Sequence, residues 1–294
     1  MSSNPLPPPT PLGPYNPPRW SSEGSTVSYR PPLQAPRPKL WLHLALFLAT
    51  VASTSYFVSP AYSGCLMLIL TAHEFGHYFA ARHYRVRATL PYFMPFPSLL
   101  GTLGAVIRMS PYIPNRRALF DIAAAGPLAG LVFALPVSIV GMMMSEVRPS
   151  ESMGSFITLG DPLIFRAMEY AIFGTRQEGY DLLLHDVAFA GWVGMFVTAL
   201  NLLPISQLDG GHINYALFGE KSFQVARAAF GALALLTVFY SLNYVLILLL
   251  LWYFGIKHPP TMDDSLELGP QRRKLGYLLA VIFILCFTPA PFQM

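Results

Sequence analysis

Charged residues are scarce in this chain. Only 12% of its 294 residues are charged and 53% are hydrophobic, whereas soluble globular domains carry roughly 25% charged residues. This scarcity excludes an ordinary soluble domain and is typical of a protein that crosses a membrane several times. The net charge of +4 is small and the basic residues flank apolar stretches, so we expect the lipid bilayer, and no nucleic acid, as a partner.

Cysteines are nearly absent, and the N-terminal part has no apolar run. The two cysteines, Cys65 and Cys286, lie in apolar segments without the spacing of metal ligands, so we interpret them as packing residues. No apolar stretch begins before Leu40, which argues against a cleavable signal peptide. The first 38 residues hold 12 of the 28 prolines, which predicts a disordered, Pro-rich cytoplasmic tail at 1–38.

Long apolar runs follow this tail. They cover 40–58, 61–82, 118–144, 187–201, 208–218, 223–256 and 275–287. The expected fold is therefore an all-α polytopic bundle of about six to seven transmembrane helices. The run at 223–256 exceeds the roughly 20 residues of one span, which predicts a break near residues 241–243. In this division of the chain, the first transmembrane helix lies at 39–60 and the C-terminal transmembrane helices lie at 220–294.

Three segments of the chain carry weaker structural signals. Residues 86–112 are rich in proline, glycine and β-branched or aromatic residues, which predicts a small membrane-associated β element there. Gly126 and Gly130 form a small-xxx-small pair, which predicts close packing between helices. Moderate apolarity at 156–173 predicts a short interfacial helix.

The distribution of Lys and Arg predicts the orientation in the membrane. Basic residues are concentrated in the N-terminal tail and in the connections at 82–117 and 257–274, whereas the connection at 145–184 is mainly acidic. By the positive-inside rule, the first three regions are cytoplasmic and the last is on the other side.

A group of titratable residues interrupts the second apolar run. Residues 73–77 read His-Glu-Phe-Gly-His, an H-E-x-x-H pattern. Positions i and i+4 share a helix face, so His73 and His77 can bind one metal ion with Glu74 beside it. In the structural alternative the three side chains hydrogen-bond to neighbouring helices. The cost of burying them without a metal argues against it.

The third metal ligand is less clearly marked. Asp209 lies in an otherwise apolar stretch after a Pro-containing break, and Gly210 and Gly211 allow the backbone to approach another helix. His212 is a competing ligand, and a helix N-cap is the structural alternative for Asp209. The residues alone leave these alternatives open. The remaining histidines are interpreted as isolated structural or interfacial residues: His43, His83, His185 and His258.

Two motifs together resemble a known family. The H-E-x-x-H motif at 73–77 and the run Asn-Leu-Leu-Pro-Ile-Ser-Gln-Leu-Asp-Gly-Gly-His at 201–212 are similar to those of site-2 proteases, which are intramembrane zinc metalloproteases. Residues 61–219 correspond to the three-helix catalytic core of that family. The connection at 145–185 is too short for a PDZ domain, so the chain resembles the compact, PDZ-less branch.

The resemblance implies roles for individual residues. It implies one Zn2+ per chain, with His73, His77 and Asp209 as ligands and Glu74 as the catalytic glutamate. Asn201 matches the asparagine that lies near the active site in this family. The segment with Gly101 and Gly104 resembles the family's membrane-embedded β element, which would bind substrate.

The expected function is an intramembrane zinc metalloendopeptidase. We expect it to cleave a peptide bond within or near the transmembrane segment of a membrane protein, as in regulated intramembrane proteolysis. The alternative is a non-proteolytic membrane metal-binding protein or transporter. The sequence leaves homo-oligomerisation open. It shows no recognisable transit peptide, so we expect the plasma membrane of a bacterium or archaeon.

Overall fold

The structure is a computed structural model that describes residues 39–149, 158–175 and 179–293. The predicted Pro-rich tail at 1–38 and the start of the predicted interfacial helix lie outside these residues. The helices of the described residues are α1 (Leu40–Phe57), α2 (Pro60–His83), α3 (Arg116–Met143), α4 (Leu163–Phe173), α5 (Asp186–Asn201), α6 (Asp209–Phe218), α7 (Ser222–Phe239), α8 (Val245–Phe254) and α9 (Pro270–Cys286). The strands are β1 (Tyr92–Pro95), β2 (Thr102–Val106), β3 (Glu146–Pro149), β4 (Thr158–Leu159), β5 (Tyr180–Leu183) and β6 (Phe292–Gln293).

The described residues are mostly helical, and three stretches are long and apolar enough to cross a membrane. These are Leu40–Phe57, Arg116–Met143 and Asp209–Phe239, the last of which joins α6 and α7. Two shorter helices, α5 and α8, are also apolar. The helix α2 is not among the three, because the titratable residues of its second half reduce its hydropathy. A mostly helical membrane fold is confirmed, while the count of six to seven spans stays a prediction.

The predicted break in the long apolar run is confirmed. The helix α7 ends at Phe239, a single 3-10 turn covers Leu242–Tyr244, and α8 begins at Val245. The ring of Tyr244 is buried at this turn and its hydroxyl donates a hydrogen bond to the carbonyl of Thr288. The turn is therefore fixed by a contact with the chain that follows α9.

The predicted β element is a hairpin of β1 and β2. The two strands pair antiparallel, with Phe93 opposite Ala105 and a register irregularity before Pro95. Two further antiparallel pairs, β3 with β5 and β4 with β6, were not predicted. Their strands have only two to four residues, which is too short for an alternating pattern to be recognised.

The centre of the fold is formed by α2, α3 and α5, which pack against one another, while α6 packs against α3. Tyr62, Ile69 and Met195 are among the fully buried residues of this core. The indole N–H of Trp192, also fully buried, donates a 2.8 Å hydrogen bond to the carbonyl of Gly160. The core thus holds the helix with the H-E-x-x-H motif between two apolar helices.

A polar cluster joins α9 to this centre. Arg272 donates two hydrogen bonds to Asp121 of α3, from Nε at 2.8 Å and from Nη2 at 2.7 Å. The hydroxyl of Tyr84, at the end of α2, donates to the same carboxylate. Three helices therefore share one bidentate ion pair, which fixes α9 against α2 and α3.

Candidate metal centre

Three ligand atoms converge between α2 and α6. The Nε2 atoms of His73 and His77 lie 3.1 Å apart, and Oδ2 of Asp209 lies 3.3 Å from the first and 3.2 Å from the second. A tetrahedral zinc ion with bonds of about 2.0–2.2 Å places its ligand atoms roughly 3.3 Å apart. The triangle formed by these three atoms therefore has the size of one face of a zinc site.

The chemistry of these atoms also fits a divalent metal. Oδ2 of Asp209 is buried and has no hydrogen-bond partner among the described residues, although an isolated buried carboxylate oxygen is costly. Nδ1 of His77 donates a 2.8 Å hydrogen bond to the carbonyl of Ile122. This bond fixes the tautomer whose Nε2 lone pair faces the other two ligand atoms. Two imidazole nitrogens and one carboxylate oxygen are a donor set that suits zinc.

The two alternatives for Asp209 are not what the structure shows. The N-cap residue of α6 is Leu208, and Asp209 is the first helical residue, with no side-chain cap at this end. His212 is outside the group of three ligand atoms, since its Nδ1 lies 2.6 Å from Nε2 of His258. Our interpretation of His258 as an isolated residue is therefore wrong, because the two buried histidines form a pair.

The chain between α5 and α6 brings Asp209 to α2. Ser206 has a φ of 55°, an uncommon conformation for a residue with a side chain, and the chain turns sharply there. A Cβ atom at Gly210 would lie 2.0 Å from the carbonyl oxygen of Leu202, and one at Gly211 would lie 2.3 Å from that of Ser206. Only glycine fits at these two positions, so the Gly-Gly pair permits the tight return of the chain.

Two glycines of α3 form the opposite wall of the centre. A Cβ atom at Gly126 would lie 2.0 Å from Nε2 of His77, and one at Gly130 would lie 3.2 Å from Nδ1 of His73. The sequence predicts close helix packing at this pair, and the helices do approach closely. Sequence reasoning did not predict what packs against these glycines. They leave room for the imidazoles of His73 and His77.

Glu74 and Asn201 lie next to the ligands. Glu74 is only 5% exposed, and the backbone of Ile107, just after β2, lies near its carboxyl group. Nδ2 of Asn201, the last residue of α5, lies 3.1 Å from Nε2 of His73. The structure thus brings both residues to the group of His73, His77 and Asp209, while their roles stay predictions.

Gly101 and Gly104 belong to the hairpin. Both have positive φ, of 71° and 95°, which favours glycine. A Cβ atom at Gly101 would lie 2.7 Å from Cα of Thr54 in α1, whereas the space around Gly104 is open. The conformation of the hairpin explains these glycines, and their role in substrate binding stays a prediction.

An H-E-x-x-H helix whose two histidines lie beside a third candidate ligand from another helix has the donor pattern of a metalloprotease zinc site. Residues 61–245, more than half of the chain, match the model of peptidase family M50. The chain belongs to this family, which confirms the resemblance to site-2 proteases drawn from the two motifs.

Several curated relatives are plant proteins. The chain is 28% identical over 232 residues to "Probable zinc metalloprotease EGY2, chloroplastic" of Oryza sativa subsp. indica, which covers 76% of this chain and 41% of that protein. It is 29% identical over 233 residues to EGY1 of Oryza sativa subsp. japonica, covering 77% and 39%, and 28% identical over 230 residues to EGY1 of Arabidopsis thaliana, covering 75% and 41%. The chain therefore spans about two fifths of the length of these relatives.

The ligand set predicts a difference between two neighbouring substitutions. Asp209→Ala is expected to lose most of the bound zinc, because it removes one of three protein ligands. His212→Ala is expected to keep about one zinc per chain at saturating zinc, since His212 lies outside the group of ligand atoms. Metal analysis of the purified proteins in detergent measures both. Zinc retained by Asp209→Ala and lost by His212→Ala would reverse the assignment of the third ligand.

Proposed function

We propose that this protein is a zinc metalloendopeptidase that cleaves a peptide bond within or near the transmembrane segment of a membrane protein. The observation that carries the proposal is the group of His73, His77 and Asp209, whose two histidines are buried, with Glu74 beside it, on helices packed in an apolar bundle. Hydrolysis needs a carboxylate directly next to the metal ligands, whereas a transport site has no need of one. The names of the relatives, zinc metalloproteases, support the same reading.

Each side chain of the centre has a role in this reaction. A zinc ion held by His73, His77 and Asp209 would acidify water and polarise the scissile carbonyl group. Glu74 accepts the proton of the attacking water and then delivers a proton to the leaving amine. Asn201, whose amide lies beside His73, would donate a hydrogen bond to the carbonyl oxygen of the substrate. The hydrogen bond from His77 to the Ile122 carbonyl holds that imidazole still during the reaction.

A helical substrate must unwind before it is cleaved, because its carbonyl groups are hydrogen-bonded within the helix. The strand β2 offers a place for the unwound segment. It pairs only with β1 among the described strands, and the backbone of the residue that follows it, Ile107, lies near Glu74. A substrate that adds to the free edge of β2 by β-augmentation would lie extended beside the catalytic glutamate.

Proline substitutions test this binding mode. Neighbouring residues of a strand direct their N–H groups to opposite edges, so Ala105→Pro and Val106→Pro remove one N–H group from each edge of β2. The variant that loses an N–H group on the edge away from β1 is expected to keep its melting temperature and to cleave substrate on the order of tenfold more slowly. The other variant disturbs the hairpin itself and should melt earlier. If neither variant cleaves more slowly, substrate does not bind by adding to this strand.

The activity itself is tested in lipid vesicles. Wild-type protein is reconstituted with single-span model substrates, with and without a zinc chelator, and the fragment ends are mapped by mass spectrometry. We expect chelator-sensitive cuts within or next to the apolar segment. Cuts confined to the soluble flanks would indicate a protease of peripheral peptides. Zinc binding without any cleavage across a broad substrate set would favour the alternative, a non-proteolytic metal-binding protein or transporter.

Three apolar stretches of the described residues support a membrane location. The relatives are named as chloroplastic and lend no support to the plasma membrane of a bacterium or archaeon, which stays a prediction from the sequence alone. A transmembrane protein as substrate, the absence of a nucleic-acid partner and the oligomeric state likewise stay predictions.

A further inference from the structure

The connection between α8 and α9 runs past the start of α3 and contacts α6. We call residues 257–269 the strap. The backbone N–H groups of Met262 and Asp263 donate 3.0 Å hydrogen bonds to the carbonyls of Ile113 and Pro114, and Nη2 of Arg116 donates a 2.8 Å bond to the carbonyl of Asp264. These bonds hold the strap against the start of α3. They give its side chains fixed positions.

The strap contacts α6 through one histidine. The ring of His258 stacks on that of Tyr215, with centroids 4.5 Å apart and planes 20° apart. Its Nε2 lies 2.6 Å from Nδ1 of His212, and both histidines are buried. The hydroxyl of Tyr215 also donates a 2.5 Å hydrogen bond to Asp264 of the strap. His212 is three residues after Asp209, so this contact lies one helical turn from the metal ligand.

The hydrogen bonds of the histidine pair run in one direction. Nδ1 of His258 lies 2.5 Å from the carbonyl of Pro259, which can only accept, so this nitrogen carries the proton. Nε2 of His258 is then an acceptor, and Nδ1 of His212 is the donor. Burial lowers the pKa of His258, which agrees with a neutral ring that accepts at Nε2.

The helix α6 packs against α3, and the contact with the strap is a second constraint on its orientation. This helix has only 10 residues, and isolated helices of that length are marginal. Its first residue, Asp209, follows the sharp turn at Ser206, so the direction of the carboxylate follows the direction of the helix. The buried hydrogen bond between His212 and His258 lies one helical turn from this carboxylate. It can therefore fix the direction of the helix.

We propose that His258 is a positioning residue of the metal centre: through His212 it fixes the orientation of α6 and so the geometry with which Asp209 binds the metal. This inference rests on the metal centre of the proposed function. It extends that centre by a residue from the strap, which carries neither of the two motifs. His258 touches no ligand atom and acts only through α6.

Two substitutions separate the hydrogen bond from the packing. His258→Phe keeps a ring that can stack on Tyr215 but removes the acceptor for His212. His258→Gln places an amide oxygen where Nε2 was and restores the acceptor. Hydrogen-bond partners of the ligands themselves typically change metal affinity 10–100-fold. For the more distant His258 we expect zinc affinity to fall about tenfold in His258→Phe and to recover in His258→Gln.

The readouts need no proteolytic activity. Zinc affinity is measured by competition with a chelator, and the geometry of the ligands by the visible absorption spectrum of the Co2+-loaded protein. We expect a changed Co2+ spectrum in His258→Phe and a wild-type spectrum in His258→Gln. His83→Phe, at an exposed histidine at the end of α2, is the matched control and should leave both readouts unchanged. If His258→Phe does not fold, His258→Leu also removes the acceptor.

The outcomes separate this inference from the proposed function. If His258→Phe and His258→Leu, which lack the acceptor, keep the wild-type zinc affinity and Co2+ spectrum, the positioning role is overturned. The proposed zinc protease function is then unaffected. Equal losses in His258→Phe and His258→Gln would also overturn the positioning role, since the hydrogen bond would then not matter. A folded wild-type protein that binds neither zinc nor Co2+ would overturn the metal centre, and both proposals with it.

Discussion

Glu74→Gln is expected to abolish peptide cleavage while leaving zinc binding intact. Glutamine has the shape of glutamate but cannot accept the proton of the attacking water, and loss of a general base typically slows a reaction about 10²–10⁴-fold. Glu74 is outside the group of ligand atoms, so the metal should stay. Cleavage rates in vesicles and metal content are measured on the same preparation.

The control for this substitution is Glu220→Gln, at an exposed glutamate in the turn after α6, which should cleave at the wild-type rate. Near-normal cleavage by Glu74→Gln would rule out the role of Glu74 as the base. If Glu74→Gln loses both its zinc and its cleavage activity, Glu74 instead supports the ligands.

Gly126→Ala is expected to lose most of its zinc although Gly126 is no ligand. The added methyl group would lie 2.0 Å from Nε2 of His77, the atom that faces the metal, so the imidazole must leave its position. Alanine is otherwise well tolerated in a helix, and the chain should keep its helical content. Metal analysis and circular dichroism of the purified protein measure the two effects.

Gly64→Ala on α2 is the matched control, because a Cβ atom at Gly64 meets nothing within 4 Å. This variant should bind as much zinc as the wild type. A folded Gly126→Ala protein with a full zinc content would contradict this prediction. It would mean that α3 can move away from α2 at little cost in free energy.

Much of the site could be predicted from the sequence because its signals are local. The spacing of His73 and His77 is a property of one helix, and Asp209 is preceded by a proline-containing break and followed by two glycines. The choice between Asp209 and His212 could not be made from the sequence, since both lie on the first turn of the same helix. Only the direction of that helix decides it.

The remaining features depend on contacts between distant parts of the chain. The partner of His212 is His258, 46 positions away. No periodic pattern in the sequence predicts such a pair. The glycines of α3 have the spacing of an ordinary packing motif, and the histidines they accommodate lie on another helix. The bounds of the helices, in contrast, follow from hydropathy and breaks, which is why most of them agree with the structure.

The origin of the ligands has a consequence for the synthesis of the protein. Two ligands and Glu74 are carried by α2, whereas the third ligand opens α6, which the ribosome makes much later. A partly synthesised chain that has inserted α2 has the base but an incomplete metal centre. Under the proposed function, the capacity to cut other membrane proteins would therefore arise only when α6 is inserted, so unfinished chains would not cleave their neighbours in the membrane.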